Sequence, residues 1–340
     1  MKRIDFEAHF VTKEYAKTMI ENVGYPRYVE DPKKQKSRRL YYTSDVGEPL
    51  GNALLNRLLD LGDERLKEMD AAGIDIQVLS LTAPGVEQFD AATGTSLAKS
   101  TNDLLSEAIE RYPDRFRGFA SLAPTDPVAA ADELERAVKE LEFIGWKTHS
   151  NYGGTYLDEK MFWPILEMAE KLDAPIYLHP TVPAMAPMRK YGFALAGAPF
   201  GFGAEASMCM MRLIYSGIFD ELPKLKIILG HLGEGLPFIF QRIDFAYVKP
   251  WVDPDTRPEL KKKPSDYLKE NMFVTTSGNY LQPAFLCTYE VMGVNRILLA
   301  TDHPYESSKD CIQFLEGLPI LGEEKEKIYY LNARNFGITV

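Results

Sequence analysis

Apolar positions along this chain fall into two rhythms. Short runs of seven to nine residues, dense in apolar and β-branched side chains, recur at RIDFEAHF (3–10), IQVLSLTA (from 75 or 76 to 83), FRGFASLAP (116–124), FIGWKTHS (143–150), APIYLHP (174–180), LKIILGHLG (225–233), MFVTTSGN (272–279) and RILLATDHP (296–304). Their length and composition predict eight strands, most of them buried on both faces. Between them lie GNALLNRLLDLGDERLKEMDAAG, SLAKSTNDLLSEAIERY, DPVAAADELERAVKELE, DEKMFWPILEMAEKL, ASMCMMRLIYSGIFDEL and PAFLCTYEVMG. Several of these carry apolar residues three and four apart, the period of an amphipathic helix. Strands alternating with helices build a parallel sheet with right-handed crossovers, and a count of eight closes into a (β/α)8 barrel. A doubly wound open sheet is the alternative. It is disfavoured because no Gly-x-Gly-x-x-Gly follows the first strand. Residues 1–340 are read as one barrel domain.

Two segments break the alternation. Residues 24–50 and 181–204 are long, aromatic and rich in Gly, Pro or charge, and both follow strands, which places them over the C-terminal mouth as substrate lids. For the second, an ordinary packing or oligomer-contact insertion is the competing reading.

The candidate chemistry begins in the first strand. Residues i and i+2 of a strand face the same way, so Glu7 and His9 project into one place and together can hold a cation. All five histidines, His9, His149, His179, His231 and His303, fall at or just past the C-terminal end of a predicted strand, the face where barrel enzymes place their active sites. Asp302 ends the eighth strand. Glu7, His9, His179 and Asp302 can therefore converge from strands one, five and eight on a divalent cation with mixed oxygen and nitrogen ligands. In GHLGEG, Glu234 follows His231 by three residues at the start of the next helix, where it either orients the imidazole or caps the helix beside a packed His. His303 should face away from Asp302 and be structural or rim-lining. Lys147 and His149 share a strand face. Lys147 reads as a carboxylated bridge between two metals, a buried ion pair or a solvated strand end, and His149 as a substrate contact.

Composition narrows the classes. A formal net charge of −10 argues against nucleic acid as the main partner, and the one basic run, Lys33 to Arg39, is a short loop. Three widely spaced cysteines, Cys209, Cys287 and Cys311, suggest reduced thiols in a cytoplasmic protein. No stretch reaches the roughly 18 uninterrupted apolar residues of a membrane span, and the chain enters its first strand without an apolar signal core. The expectation is a soluble, unprocessed protein.

The phrases E-A-H-F, N-R-L-L-D-L-G-D-E-R-L-K-E-M-D, D-R-F-R-G-F-A-S-L, Y-L-H-P, I-I-L-G-H-L-G-E-G-L-P, T-T-S-G-N and A-T-D-H-P-Y-E, in this order, resemble the metal-dependent non-oxidative decarboxylase branch of the amidohydrolase superfamily. Glu-x-His in place of His-x-His resembles the γ-resorcylate (2,6-dihydroxybenzoate) type in particular. The resemblance implies Glu7, His9, His179 and Asp302 as ligands of one divalent metal, manganese or alternatively zinc, and His231 with Glu234 as a supporting catalytic pair. It implies Arg57 and Arg242 as substrate contacts, one arginine reaching across a subunit interface; Asp302 is further expected to be the proton donor, and His149 and Asn279 to contact the substrate. A surface salt bridge is the competing reading for each arginine. It further implies a small aromatic acid as substrate and a homo-oligomer, dimer or tetramer. The chain departs from the pattern at His303, where Trp is common, at His149, where the γ-resorcylate type has Asn, and in the longer insertion at 24–50. The rival activities are a metal-dependent lactone or ester hydrolase with a second metal at Lys147 and, from another class, a non-catalytic binding barrel.

Overall fold

The computed structural model describes residues 1–34 and 37–338. Its main sheet has eight parallel strands: β1 (Ile4–Phe10), β2 (Ile76–Leu81), β3 (Phe116–Ala120), β4 (Gly145–His149), β5 (Ile176–His179), β6 (Ile227–Leu229), β7 (Met272–Thr275) and β8 (Ile297–Leu298). Each falls within a run expected to be a strand. The sheet closes on itself. Phe6 N–H donates to the Leu299 carbonyl at 2.9 Å, His9 N–H donates to the His303 carbonyl at 2.7 Å, and Ala8 bridges His303 in parallel. The result is the expected (β/α)8 barrel.

The interior is layered. Ile4, Phe6, Val78, Phe119, Ile228 and Phe273 belong to an apolar layer, and the ring of Phe336 closes it, 5.5 Å from Phe6 and 4.9 Å from Phe273. Polar side chains occupy the layer above, at the C-terminal ends of the strands. A β-bulge makes that change of layer possible in β1: Asp5 pairs with Gln77 but Ala8 with Leu79, so β1 carries one extra residue. Phe6 thus packs in the lower layer while Glu7 and His9 both face inward above it.

Local sequence explains the helix boundaries. Asp90 accepts from Ala92 N–H and Thr93 N–H at 3.1 Å each to start Ala91–Arg111, and Asp126 accepts from Ala129 N–H at 3.1 Å to start Pro127–Lys139. The long pattern at 51–73 divides into Gly51–Leu59 and Asp63–Ala72, because Asp60 turns its carboxylate onto the N–H groups of Gly62 and Arg65 at 2.9 and 2.7 Å. Helices at Lys13–Glu21, Pro264–Asn271, Ser308–Glu316 and Gly322–Tyr329 were not among the expected patterns.

The first insertion is a three-stranded antiparallel sheet, Arg27–Glu30, Arg38–Tyr41 and Gly47–Glu48, with Tyr28, Leu40, Tyr42 and Val46 buried beneath it. The second carries two single-turn helices, Ala186–Arg189 and Phe193–Ala196, and its last residues, from 201, already belong to the helix Gly201–Tyr215. The two insertions pack together: Tyr42 lies 6.5 Å from the Phe193 ring and 5.9 Å from Phe202. Among the described residues no helix is long and apolar enough to cross a membrane.

Candidate metal centre

Strand ends bring four donors together. One ligand atom from each of Glu7, His9, His179 and Asp302 lies within 4.8 Å of all the others. Glu7 Oε1 is 3.4 Å from His179 Nε2 and 3.7 Å from His9 Nε2, and His9 Nε2 is 3.0 Å from Asp302 Oδ1. His179 Nδ1–H donates to the Pro180 carbonyl at 2.8 Å, which leaves the Nε2 lone pair facing the cluster. Both oxygens of Glu7 are buried without a hydrogen-bond donor. A carboxylate in that position, ringed by imidazole nitrogens, has the donor set and the unmet charge that a divalent cation satisfies.

The electrostatics agree. Burial alone would push Glu7 upward, but the facing His231, His179 and His9 hold it well below the usual carboxylate range. Burial, with Lys147 beside it, keeps His179 well below the ordinary imidazole value and therefore neutral, the form that ligates.

His231 stands over the cluster, its Nε2 3.8 Å from Glu7 Oε1 and 4.0 Å from Asp302 Oδ2, while its Nδ1 lies 2.6 Å from Glu234 Oε1. Burial opposes its charge, yet Glu234, Glu7 and Asp302 together raise it well above the ordinary value. Glu234 was expected at the start of the next helix but does not begin one. It ends the single turn His231–Gly233 in the left-handed conformation at φ 52°, because Gly233 and Gly235, at φ 80° and 82°, break the helical path on both sides. The capping alternative falls with that helix, and the carboxylate turns back onto the imidazole instead. Asp302 is likewise left-handed at φ 59°.

The remaining expected residues are more dispersed. His149 is buried beside the cluster, its ring 5.4 Å from that of His179. Lys147 is buried and donates to the Leu81 carbonyl at 2.5 Å. Asn279 is half-buried just after Gly278, where a Cβ would meet His231 Cδ2 at 2.7 Å. His303 turns away from Asp302 toward Glu68, 3.6 Å distant. Arg57 is exposed, gripping both oxygens of Glu68 at 3.2 and 2.8 Å and the Pro304 carbonyl at 2.9 Å. Arg242 is also exposed, 4.3 Å from the centre of the Phe245 ring.

Three acids near the site went unread in the sequence. Glu87 bonds His149 Nδ1 at 3.0 Å, and burial raises it to about 8. Glu48, on the first insertion, accepts from Tyr42 Oη at 2.9 Å and is raised to about 7 by burial. Asp5 accepts from Thr301 N–H and Oγ1 at 2.9 and 2.7 Å, fixing the residue before Asp302. Asp5 had a signal, an acid two residues before Glu7 in an apolar strand. Glu48 and Glu87 lie in loops where nothing in the spacing marks them.

The family model described as Amidohydrolase matches residues 4–336. Gamma-resorcylate decarboxylase of Polaromonas sp. (strain JS666 / ATCC BAA-500) is 36% identical over 342 residues, covering 98% of this chain and 97% of its own. Among solved structures, 5-carboxyvanillate decarboxylase from Sphingomonas paucimobilis superposes with a TM-score of 0.88 at 35% identity over 99% of each chain. A dihydroxybenzoic acid decarboxylase from Polaromonas sp. JS666, holding manganese and the inhibitor 2-nitroresorcinol, superposes at 0.84 with 36% identity over 98% of this chain and 96% of its own. A match along nearly the whole chain, with the four donors gathered at the strand ends, places it plainly: the chain belongs to the amidohydrolase family.

Proposed function

We propose that this chain is a metal-dependent, non-oxidative decarboxylase of an ortho-hydroxylated aromatic carboxylic acid, built as one barrel domain whose insertions at 24–50 and 181–204 roof the mouth. The observation that carries the reading is the buried, donor-free Glu7 carboxylate among His9, His179 and Asp302, in a chain whose relatives are named decarboxylases. Manganese is the proposed metal, as in the Polaromonas relative, with zinc as the alternative the same donors accept. Glu7, His9, His179 and Asp302 would hold the cation, which would supply Lewis-acid charge to orient and polarise an anionic substrate.

The protein's own groups then move one proton. Asp302 Oδ1 faces His9, while Oδ2 lies on the His231 side. We assign Oδ2 to deliver a proton to the ring carbon that bears the carboxylate. The electron pair of the breaking carbon–carbon bond returns to the ring, aromaticity is restored and CO2 leaves. His231, held by Glu234, supports the charge on Asp302. His149 and Asn279 contact the substrate from the mouth. Arg57 reaches it only by giving up Glu68. Arg242 reaches the site of a neighbouring copy: exposed Phe238, Ile239, Val248 and Trp251 surround it in sequence and form the apolar surface of a homo-oligomer. Free Cys209, Cys287 and Cys311 suit a cytoplasmic enzyme.

The test loads metal-free protein with manganese and follows CO2 release from a panel of ortho-hydroxybenzoates. Turnover should require the metal and fall at least about a thousandfold in Asp302→Asn with the metal still bound. Near-full activity in that variant would remove Asp302 as the acid.

A further inference from the structure

The loop after β2 is folded around one histidine. Gly85 adopts φ +77°, and a Cβ there would stand 1.9 Å from Glu87 Oε2 and 2.6 Å from His149 Nδ1, so only glycine lets these two side chains meet beneath it. Tyr15 Oη–H donates to the Gly85 carbonyl at 3.2 Å and Lys147 to the Leu81 carbonyl at 2.5 Å, pinning both ends of the turn. Within it, Glu87 is 3% exposed and His149 2% exposed, with 3.0 Å between Oε1 and Nδ1. The opposite nitrogen, His149 Nε2, is buried and has no hydrogen-bond partner. His149 pairs with His179 across β4 and β5, and the two rings meet edge to face at 78°. Its unpartnered nitrogen is therefore at the height of the metal cluster.

A buried ring nitrogen without a partner is costly unless something supplies the missing hydrogen bond. We propose that Glu87 and His149 form a substrate-reading pair, in which Glu87 is a positioning residue that fixes the imidazole and His149 Nε2 hydrogen-bonds a second hydroxyl on the ring of the aromatic acid. This rests on the functional reading above and goes beyond it by assigning the side chains that read a further hydroxyl on the ring. A hydroxyl is the fitting group because it both donates and accepts, so it satisfies Nε2 whichever nitrogen carries the ring proton. A methyl group satisfies neither state. The pairing also gives Glu87 a reason to be buried beside a histidine that lies at the metal site without belonging to the four ligands.

Binding distinguishes this from a packing role. Dissociation constants for 2-hydroxybenzoate, its four further-hydroxylated isomers and their methyl counterparts are measured by calorimetry on the manganese-loaded protein, with metal content determined for every variant. The native protein should bind at least one dihydroxybenzoate about tenfold or more tightly than 2-hydroxybenzoate and its methyl counterpart. In His149→Leu that preference should fall below about threefold with the metal retained. Glu87→Gln, whose amide oxygen still accepts from Nδ1–H, should keep more of the preference than Glu87→Leu. If His149→Leu does not fold, His149→Ala takes its place in the same comparison. An unchanged preference in the His149 variant, a native protein indifferent to the second hydroxyl, or no binding of any of these acids would overturn the pair. CO2 release is followed in parallel: selective binding without release supports the pair and contradicts the decarboxylase.

Discussion

Glu7 is buried among the ring nitrogens of His9, His179 and His231, of which His179 Nε2 has its lone pair facing inward. Truncating it removes a donor and also one of the carboxylates that hold the His231 imidazole charged. Glu7→Ala is expected to lower manganese affinity by at least about a hundredfold and to abolish turnover with it, read by metal analysis after dialysis. Glu87 gives a pH signature of its own. Its pKa is raised from 4.5 to about 8 in the fold by burial. The folded protein therefore holds a proton that the unfolded chain releases between those values. The stability this contributes is complete below the unfolded pKa and is lost as pH rises through about 8. Glu87→Gln lacks that loss, so thermal midpoints from pH 5 to 8 should fall further in the native protein than in the variant. Parallel slopes would contradict the assigned burial. At this scale the sequence was most readable where strand parity spoke: Glu7 and His9 lie in β1 and His179 ends β5. Asp302 lies past β8 in a left-handed turn and not at the end of the eighth strand, and parity does not set its direction there. Glu48 and Glu87 were illegible because their approach to the site depends on loop conformations with no periodicity.

The same contrast holds for elements. Eight runs read as strands because burial on two faces demands continuous apolar stretches, whereas the bulge in β1 that lets Phe6 and Glu7 face inward together left no mark in composition. Lys13–Glu21 is a nine-residue helix that buries only Tyr15, Ala16 and Met19, too short a stripe to stand out as a period. The sheet in the first insertion was hidden by its charges: RRLY, at its centre, buries only Leu40. Strand packing is tightest at Gly145, where a Cβ would lie 2.2 Å from the Pro175 carbonyl oxygen of the next strand segment. Gly145→Ala has to part β4 from β5 and should cost about 2 kcal/mol or more, measured by denaturant unfolding. A change within about 0.5 kcal/mol would show that those strands tolerate a wider spacing.

For the molecule as a whole, closure of β1 against β8 gathers the four candidate donors, because Glu7 and His9 come from the first strand and Asp302 from just beyond the last. Metal binding should therefore stabilise the entire barrel. Manganese at a hundredfold excess over its dissociation constant adds about 2.7 kcal/mol and raises the unfolding midpoint by several degrees, an effect Glu7→Ala should lose. The barrel and the convergence of four candidate donors were legible in the sequence because both follow from strand count and from residues at or near the C-terminal ends of strands. The packing of one insertion on the other, through Tyr42, Phe193 and Phe202, was not, since it joins segments far apart in the chain that share no pattern. The most direct measurement is anomalous diffraction at the manganese edge from a crystal of the metal-loaded protein. One strong peak is expected, bounded by Glu7, His9, His179 and Asp302. A peak elsewhere, a second ion at Lys147, or no peak among those four side chains would contradict a single-metal decarboxylase centre.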